Sequence, residues 1–385
     1  MRRKTPPHDF LSMNIVQLDL SNPHLVKDFL DLPFRIYRDI PQWVPPLQMD
    51  ERLKLDPKRN PFYKHSQAAF FLAHDGTRPV GRLAALDNHR YNEFNKTNTA
   101  FFYLFECENN FRAATDLFSA AFDWARSRGL NEIIGPKGFT PLDGLGLLVK
   151  GFEHRPAFGL PYNPEYYVPL IEAQGFKTHS EAVSGYLNPQ IPFPPRIHQL
   201  AGRLARRRGL RIARCNTRRE LRALIPHIKE LYNAAIEGTT GNTPLTDEEV
   251  DSMANQILWL ADPRLIKLVM KNDKAVGFMF AYPDVSAALQ KTRGRLFPFG
   301  WLTLLLELRR TDWININGAG FLPEYRGSGG TAILYSEMFK SVSENPRCHH
   351  IDIVQIGTEN EDMQREMRNF GVDFYKLHRV YQRHL

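Results

Sequence analysis

Ile314-Asn315-Ile316-Asn317-Gly318-Ala319-Gly320-Phe321-Leu322-Pro323-Glu324-Tyr325-Arg326-Gly327-Ser328-Gly329-Gly330-Thr331 is the most informative stretch of the 385-residue chain. It opens with apolar and polar residues in alternation, which predicts a strand. Pro323 makes the turn, and an Arg-Gly-x-Gly-Gly loop then opens an amphipathic helix over 332–342. Glycines let several backbone N–H groups converge on one point, and the free donors that open a helix carry roughly half a positive charge. Arg326 adds a full charge with a fork of donors suited to phosphate. The segment therefore reads as a pyrophosphate cradle, against the plainer reading of a flexible glycine-serine turn. A Walker loop is excluded because no Gly-Lys-Ser/Thr follows, and the glycine spacing is not that of a dinucleotide fingerprint.

Outward from this segment, one order of elements occurs twice. Residues 68–73 read as a strand, 74–78 as a polar turn and 80–83 as the returning strand; 265–270, 271–274 and 276–280 repeat that hairpin. Each half then gives a strand and an amphipathic helix. Leu117, Ala121 and Ala125 share one face in the first half, with Gly129 suited to a left-handed cap, and Leu334, Met338 and Val342 share one in the second. A short apolar strand follows at 132–134 or 351–354, then a helix ending at Gly175 or Gly371, and a last strand closes each lobe. Gly81 and Gly277 stand 196 residues apart, as do Gly175 and Gly371, which points to a duplication with insertions at different places, 137–162 and 285–310. Four prolines within 188–195 cannot pair as a central strand. The predicted division is a lobe at 1–188, a linker at 189–195 and a second lobe at 196–385.

Bulk properties agree. Two domains suit the length, and 43% hydrophobic with 24% charged residues is the composition of a folded globular chain. Cys107, Cys215 and Cys348 are odd in number and dispersed, which favours a reducing compartment over a disulfide framework. Cys348-His349-His350 lacks metal-ligand spacing, so no metal is expected. Pro6 and Pro7 stand where a signal peptide would turn apolar. No stretch reaches the ~18 apolar residues of a spanning helix. A cytoplasmic protein is expected. The net charge of +8 leaves a polyanionic cofactor, an anionic membrane surface or nucleic acid as its explanation.

Pro323-x-Tyr325-Arg326-Gly327-x-Gly329, between a strand and a helix, resembles the coenzyme A loop of GNAT N-acyltransferases, whose pattern is Gln/Arg-x-x-Gly-x-Gly/Ala. Arg326 and Gly329 match, while Thr331 stands where Gly or Ala is usual. The resemblance implies a layered α/β fold of two tandem GNAT lobes, mixed sheets flanked by helices, with acyl-CoA as co-substrate. It implies cofactor binding at Phe321, Arg326, Gly327, Ser328, Gly329, Gly330, Thr331 and Asn360. The first half resembles the same fold without the loop: Glu106-Cys107-Glu108-Asn109-Asn110 has two carboxylates and no glycine, which argues for a degenerate partner lobe. The runs 33–47 and 60–63, Gly135-Pro136 and Tyr375-Lys376-x-x-Arg379-x-Tyr381 are similar to a bacterial family of two-lobe GNAT-like proteins. That family includes ceramide synthases, which acylate long-chain amino bases, so the resemblance implies an amine acceptor.

Aminolysis of a thioester needs a neutral amine, an oxyanion donor and a proton for the leaving thiolate. In GNAT enzymes the donor is a backbone N–H near what is here 318–321. The usual acid, a tyrosine four residues before the helix-ending glycine, is Met367 in this chain. The candidates are Glu359, Tyr375, His378 and Tyr381. Glu359 reads equally as a carboxylate favoured by a helix N-terminus, His378 as a proton carrier or a surface histidine, and the two tyrosines as packing groups. Residues 293–306, greasy and bordered by Arg293, Arg295, Arg309 and Arg310, read either as a segment meeting a membrane interface or lipid or as a helix buried between lobes. Arg203, Arg206, Arg207, Arg208, Arg211, Arg214, Arg218, Arg219 and Arg222 suit an anionic surface; nucleic acid is disfavoured, because no recognition motif or stacking aromatic accompanies them. A catalytically inactive binding or scaffold protein stays open as the alternative, and the sequence leaves the oligomeric state open.

Overall fold

Alternating apolar residues bounded by turns give strands, and apolar stripes capped by Asn, Thr or Pro give helices. The computed structural model describes residues 13–213, 215–235, 242–326 and 329–385. The first half runs β1 (Asn14–Gln17), α1 (Pro23–Ile36), α2 (Gln48–Lys54), β2 (Gln67–Asp75), β3 (Arg78–Asp87), α3 (His89–Asn95), β4 (Thr99–Cys107) and α4 (Phe111–Arg126). It continues with β5 (Glu132–Gly135), β6 (Leu147–Lys150), α5 (Tyr167–Glu172) and β7 (Lys177–Leu187). The second half runs α6 (Pro195–Arg208), β8 (Leu210–Ala213), α7 (Arg218–Ala223), α8 (Ile225–Ala235), α9 (Asp247–Ile257), β9 (Ile266–Lys271) and β10 (Lys274–Pro283). It ends with α10 (Ser286–Thr292), α11 (Gly300–Arg310), β11 (Trp313–Phe321), α12 (Gly330–Ser343), β12 (His350–Gly357), α13 (Glu361–Asn369) and β13 (Asp373–His384). The repeated hairpins, the two amphipathic helices and the helix-ending Gly175 and Gly371, both at positive φ, are where the sequence places them.

The strands join one mixed sheet in the order β1-β2-β3-β4-β5-β13-β7-β12-β11-β10-β9-β8, with β6 beside β13. β4 with β5 and β11 with β12 are the parallel pairs, and the remaining pairs are antiparallel. One expectation is corrected here. The last strand of each half closes the other half: β7 pairs with β12, β13 pairs with β5, and β7 and β13 pair with each other. Side chains follow the exchange. Tyr381 of β13 is buried in the first half's core, and Leu187 of β7 in the second's. Alternation tells which face of a strand is buried but not which neighbour completes its ladder, so the pattern alone does not distinguish the two arrangements.

The two insertions also cross over. In 137–162, Arg155 pairs with Asp284 at 3.2 Å, and the Phe158 carbonyl accepts from the Tyr282 hydroxyl at 3.0 Å. In 285–310, Gln290 donates to the carbonyls of Pro41 and Trp43 at 2.7 and 3.0 Å, and Val285, Leu289 and Leu304 pack on Leu47. One face of α11 is thus buried and the opposite face is exposed. Together the insertions roof the space between the lobes. No helix among the described residues is long and apolar enough to cross a membrane.

Candidate active site

β11 and β12 pair only from Trp313–Ile316 with His350–Ile353 and then part, which opens a cleft at their carboxyl ends. Gly318 sits there at φ 89° in a bulge opposite β10, where a side chain would be strained, and Gly318 and Ala319 are both exposed. Past Phe321 the chain makes a short turn, and Gly329, at φ 78°, begins α12 without any side chain to cap it. The first N–H groups of α12 therefore have no side-chain cap at that position. Leu204 of the arginine-bearing α6 lies against Gly329, so α6 packs beside this helix start. Arg326 is exposed, and its Nε is 3.4 Å from the Phe321 carbonyl oxygen; the Phe321 ring itself is buried. Gly327, Ser328 and Arg214 lie outside the described residues, while Gly330 and Thr331 form the first turn of α12.

At the same end of β12, Asn360 caps α13, accepting from the Met363 N–H at 3.2 Å. Glu359 is exposed, with its carboxylate over Gly357. Met367, in the usual position of the acid, is buried in the core. The other candidates are strung along β13 at every third position, about 10 Å apart by strand rise, and the structure does not bring them together. Tyr375 donates to Asp352 at 2.9 Å, beside the fully buried Lys376–Asp352 ion pair. Tyr381 contacts Glu172 at 3.1 Å inside the first lobe. His378 is buried rather than on the surface, with Nε2 3.1 Å from the Pro161 carbonyl oxygen. Burial lowers its pKa to about 4, which keeps the imidazole neutral near pH 7.

The equivalent cleft in the first half is filled. β4 parts from β5 after Phe101–Ile134, and Leu104, at φ 52°, forms the matching bulge. Glu106 there accepts from the hydroxyls of Tyr37 and Tyr167 at 2.7 and 2.8 Å. The Cys107 N–H donates to the Tyr167 oxygen at 2.9 Å, and Tyr166 donates to the Cys107 carbonyl at 3.1 Å. Burial raises the Glu106 carboxyl, against the pull of Arg82. Asn110 caps α4 by accepting from the N–H groups of Arg112 and Ala113, and Glu108 pairs with Arg35 and Arg78.

Between the lobes lies a cavity of about 330 Å³. Much of what carries the family resemblance in the first half lines it, including Tyr37, Trp43, Leu47, Phe62 and Pro136, and Asn317 and Tyr282 reach it from the second half. Trp43 stacks on Tyr37 with ring centroids 4.7 Å apart. Asn317 precedes the open bulge and donates to the Tyr282 hydroxyl at 3.3 Å, so cavity and second cleft meet there. The first-half wall holds a charged cluster that sequence reasoning missed: Lys54 bridges Glu51 at 2.8 Å and Asp143 at 3.0 Å, and Arg82 lies 3.8 Å from Glu51 and 3.9 Å from Glu106. Burial opposes the Lys54 charge, but Asp143 and Glu51 outweigh it and hold the pKa well above the ordinary lysine value. A charged residue inside an apolar strand, as Arg82 is between Gly81 and Leu83, was the available signal. Among the described residues, no group of three or more His, Cys, Asp or Glu is placed to hold a metal ion.

No family model matches the chain. It is 27% identical over 385 aligned residues to "Bacterial ceramide synthase" of Caulobacter vibrioides, covering 98% of this chain and 100% of that protein. It is 24% identical over 370 residues to "Protein YghO" of Escherichia coli, covering 94% of each. Among solved structures it resembles a tandem GNAT protein from the clavulanic acid biosynthesis pathway, with a TM-score of 0.57, 12% identity and coverage of 97% of this chain and 98% of that one. Over nearly its full length the chain is thus similar in sequence to the first of these, and it shares the tandem GNAT architecture of the last.

Proposed function

We propose that the chain is an acyl-CoA-dependent N-acyltransferase acting on a hydrophobic, long-chain amine in the cytoplasm, at the inner face of an anionic membrane. Residues 196–385 form the working lobe and 1–188 a degenerate partner, joined by 189–195 with their closing strands exchanged. The observation that carries this reading is the open bulge at Gly318 and Ala319, set between a helix start with glycine at its N-cap and a cavity lined by Trp43, Leu47, Phe62 and Phe139 as well as by the charged cluster. Arg326 and the backbone of 327–331 would hold the CoA phosphates, with Asn360 at the opposite wall of the cleft. Backbone N–H groups of 318–321 would face the thioester oxygen as it takes up negative charge. The amine nitrogen bonds to the thioester carbon, the C–S bond breaks, the sulfur takes up a proton and the amide nitrogen loses one. Glu359, at the open end of the cleft, is the proposed acceptor of the amine proton. His378 is neutral and buried, and Tyr375 and Tyr381 are tied to carboxylates, so we assign these three to positioning.

The test is an assay of acyl-CoA chain length against sphingoid bases and small amines. Each CH₂ buried in the transition state should raise kcat/KM by about fourfold until the cavity is filled. A flat profile, or turnover only with acetyl-CoA and a polar amine, removes the lipid acceptor and leaves acyl transfer standing. Met367, buried where the family places its acid, favours one competing reading, a protein that binds without turnover. Acyl-CoA binding without product from any amine in the series would select it.

A further inference from the structure

Of the twelve large hydrophobic side chains exposed among the described residues, six lie between positions 297 and 306, so the exposure is concentrated on one element. Phe297 and Phe299 are 72% and 74% exposed, and Trp301, Leu302, Leu305 and Leu306 follow on α11. The presentation is built in. Leu304 and Leu308 anchor α11 on the lobe below and turn its other face outward. The loop before it is tight: a Cβ on Gly300 would lie 1.8 Å from the Arg295 carbonyl oxygen. The Trp301 backbone N–H donates to Leu296 and its indole N–H to Pro298, at 2.9 and 3.0 Å, so these donors are satisfied inside the loop. A contiguous apolar patch of this kind marks a docking surface.

Charge identifies what docks. Lys291, Arg293, Arg295, Arg309 and Arg310 border the patch, all exposed, and Glu307 is the one acid within 291–310. A separate cleft of about 390 Å³ beside the segment is lined by Lys27, Arg35, Arg38, Arg293 and Arg295 against Asp28 and Asp31. It adjoins the main cavity, since Asp31, Phe34 and Gln48 line both. A second copy of the chain fits poorly, because paired patches would bring two rims of cations together. An anionic bilayer satisfies both features.

We propose that residues 295–302 and the outer face of α11 insert shallowly into an anionic phospholipid bilayer, with the basic cleft taking a lipid phosphate and the cavity held at the membrane surface. This locates the membrane contact of the reading above and is tested apart from catalysis. The full chain is sedimented with phosphatidylcholine vesicles, with and without phosphatidylglycerol, in the absence of acyl-CoA and amine. Binding to the anionic vesicles is expected, weakening as salt rises. Phe297→Asp with Phe299→Asp should lower partitioning by about a hundredfold. Arg293→Glu with Arg295→Glu should lower it by about tenfold or more. All four positions are exposed, so melting temperatures should hold. The proposal is overturned if wild type ignores anionic vesicles or if both double variants bind as wild type does. It is also overturned if light scattering finds a dimer that the Phe297/Phe299 variant dissolves while vesicle binding persists. Any of these results leaves acyl transfer in detergent solution untouched, whereas vesicle binding without transfer counts against the catalytic reading alone.

Discussion

β4 and β11 are the same strand built twice, each with a bulge three residues before the point where it meets Gly81 or Gly277, and their surroundings are opposite. In the first half the bulge is covered by Tyr37, Tyr166 and Tyr167 around Glu106, and the next helix is capped by Asn110. In the second the bulge is exposed and the helix begins at a bare glycine. The 196-residue offset aligns Tyr167 with Met363, which has no hydroxyl to offer. Two residues separate Cys107 from Asn110, while seven separate Phe321 from Gly329. A loop length and a few side chains thus decide whether one backbone geometry is left open or covered.

The sharpest way to break this contrast is to reverse the charge at the open cleft. Arg326→Glu should weaken CoA binding at least a hundredfold, about 3 kcal/mol or more, by calorimetry. Unchanged affinity would move the cofactor elsewhere. A second experiment probes the seam the two halves share. The His378 pKa of about 4 in the folded state lies below the ordinary value of 6.5. The unfolded chain therefore binds the extra proton first as pH falls. This contribution to stability is complete above about pH 6.5 and is lost progressively toward pH 4, a change of up to about 3 kcal/mol. Urea unfolding across that range should show it, and His378→Gln should flatten the slope by about one proton. A smaller effect sharpens the closed side. Tyr167→Phe leaves the buried Cys107 N–H without its acceptor and should cost about 2 kcal/mol in denaturant unfolding. CoA affinity should not change; a gain in affinity would mean that the first cleft was a site kept shut.

The parts legible in the sequence were those that local chemistry determines. Hairpins, helix faces and the glycines ending α4, α5 and α13 follow from spacing alone. The cavity could not be read this way, because Lys54, Arg82 and Asp143 converge from three distant segments; Arg82 stands out in its apolar strand, but Lys54 and Asp143 look like ordinary surface charges in isolation. His378 was ambiguous for the same reason: burial comes from Pro161, more than two hundred residues earlier in the chain. The segment at 293–306 left two readings open, and the helix packs one side on the core while its other side is exposed.

The exchange of closing strands sets an order of events during synthesis. When residue 188 leaves the ribosome the first lobe has every helix it will own but lacks the strand that completes its sheet, because Asp373–His384 has not yet been made. Its β5 edge and the slot that Tyr381 fills must wait, open to water and to any passing strand, through the translation of the second half. The lobe that is made first is thus the last to be sealed, and neither half completes its sheet without the other.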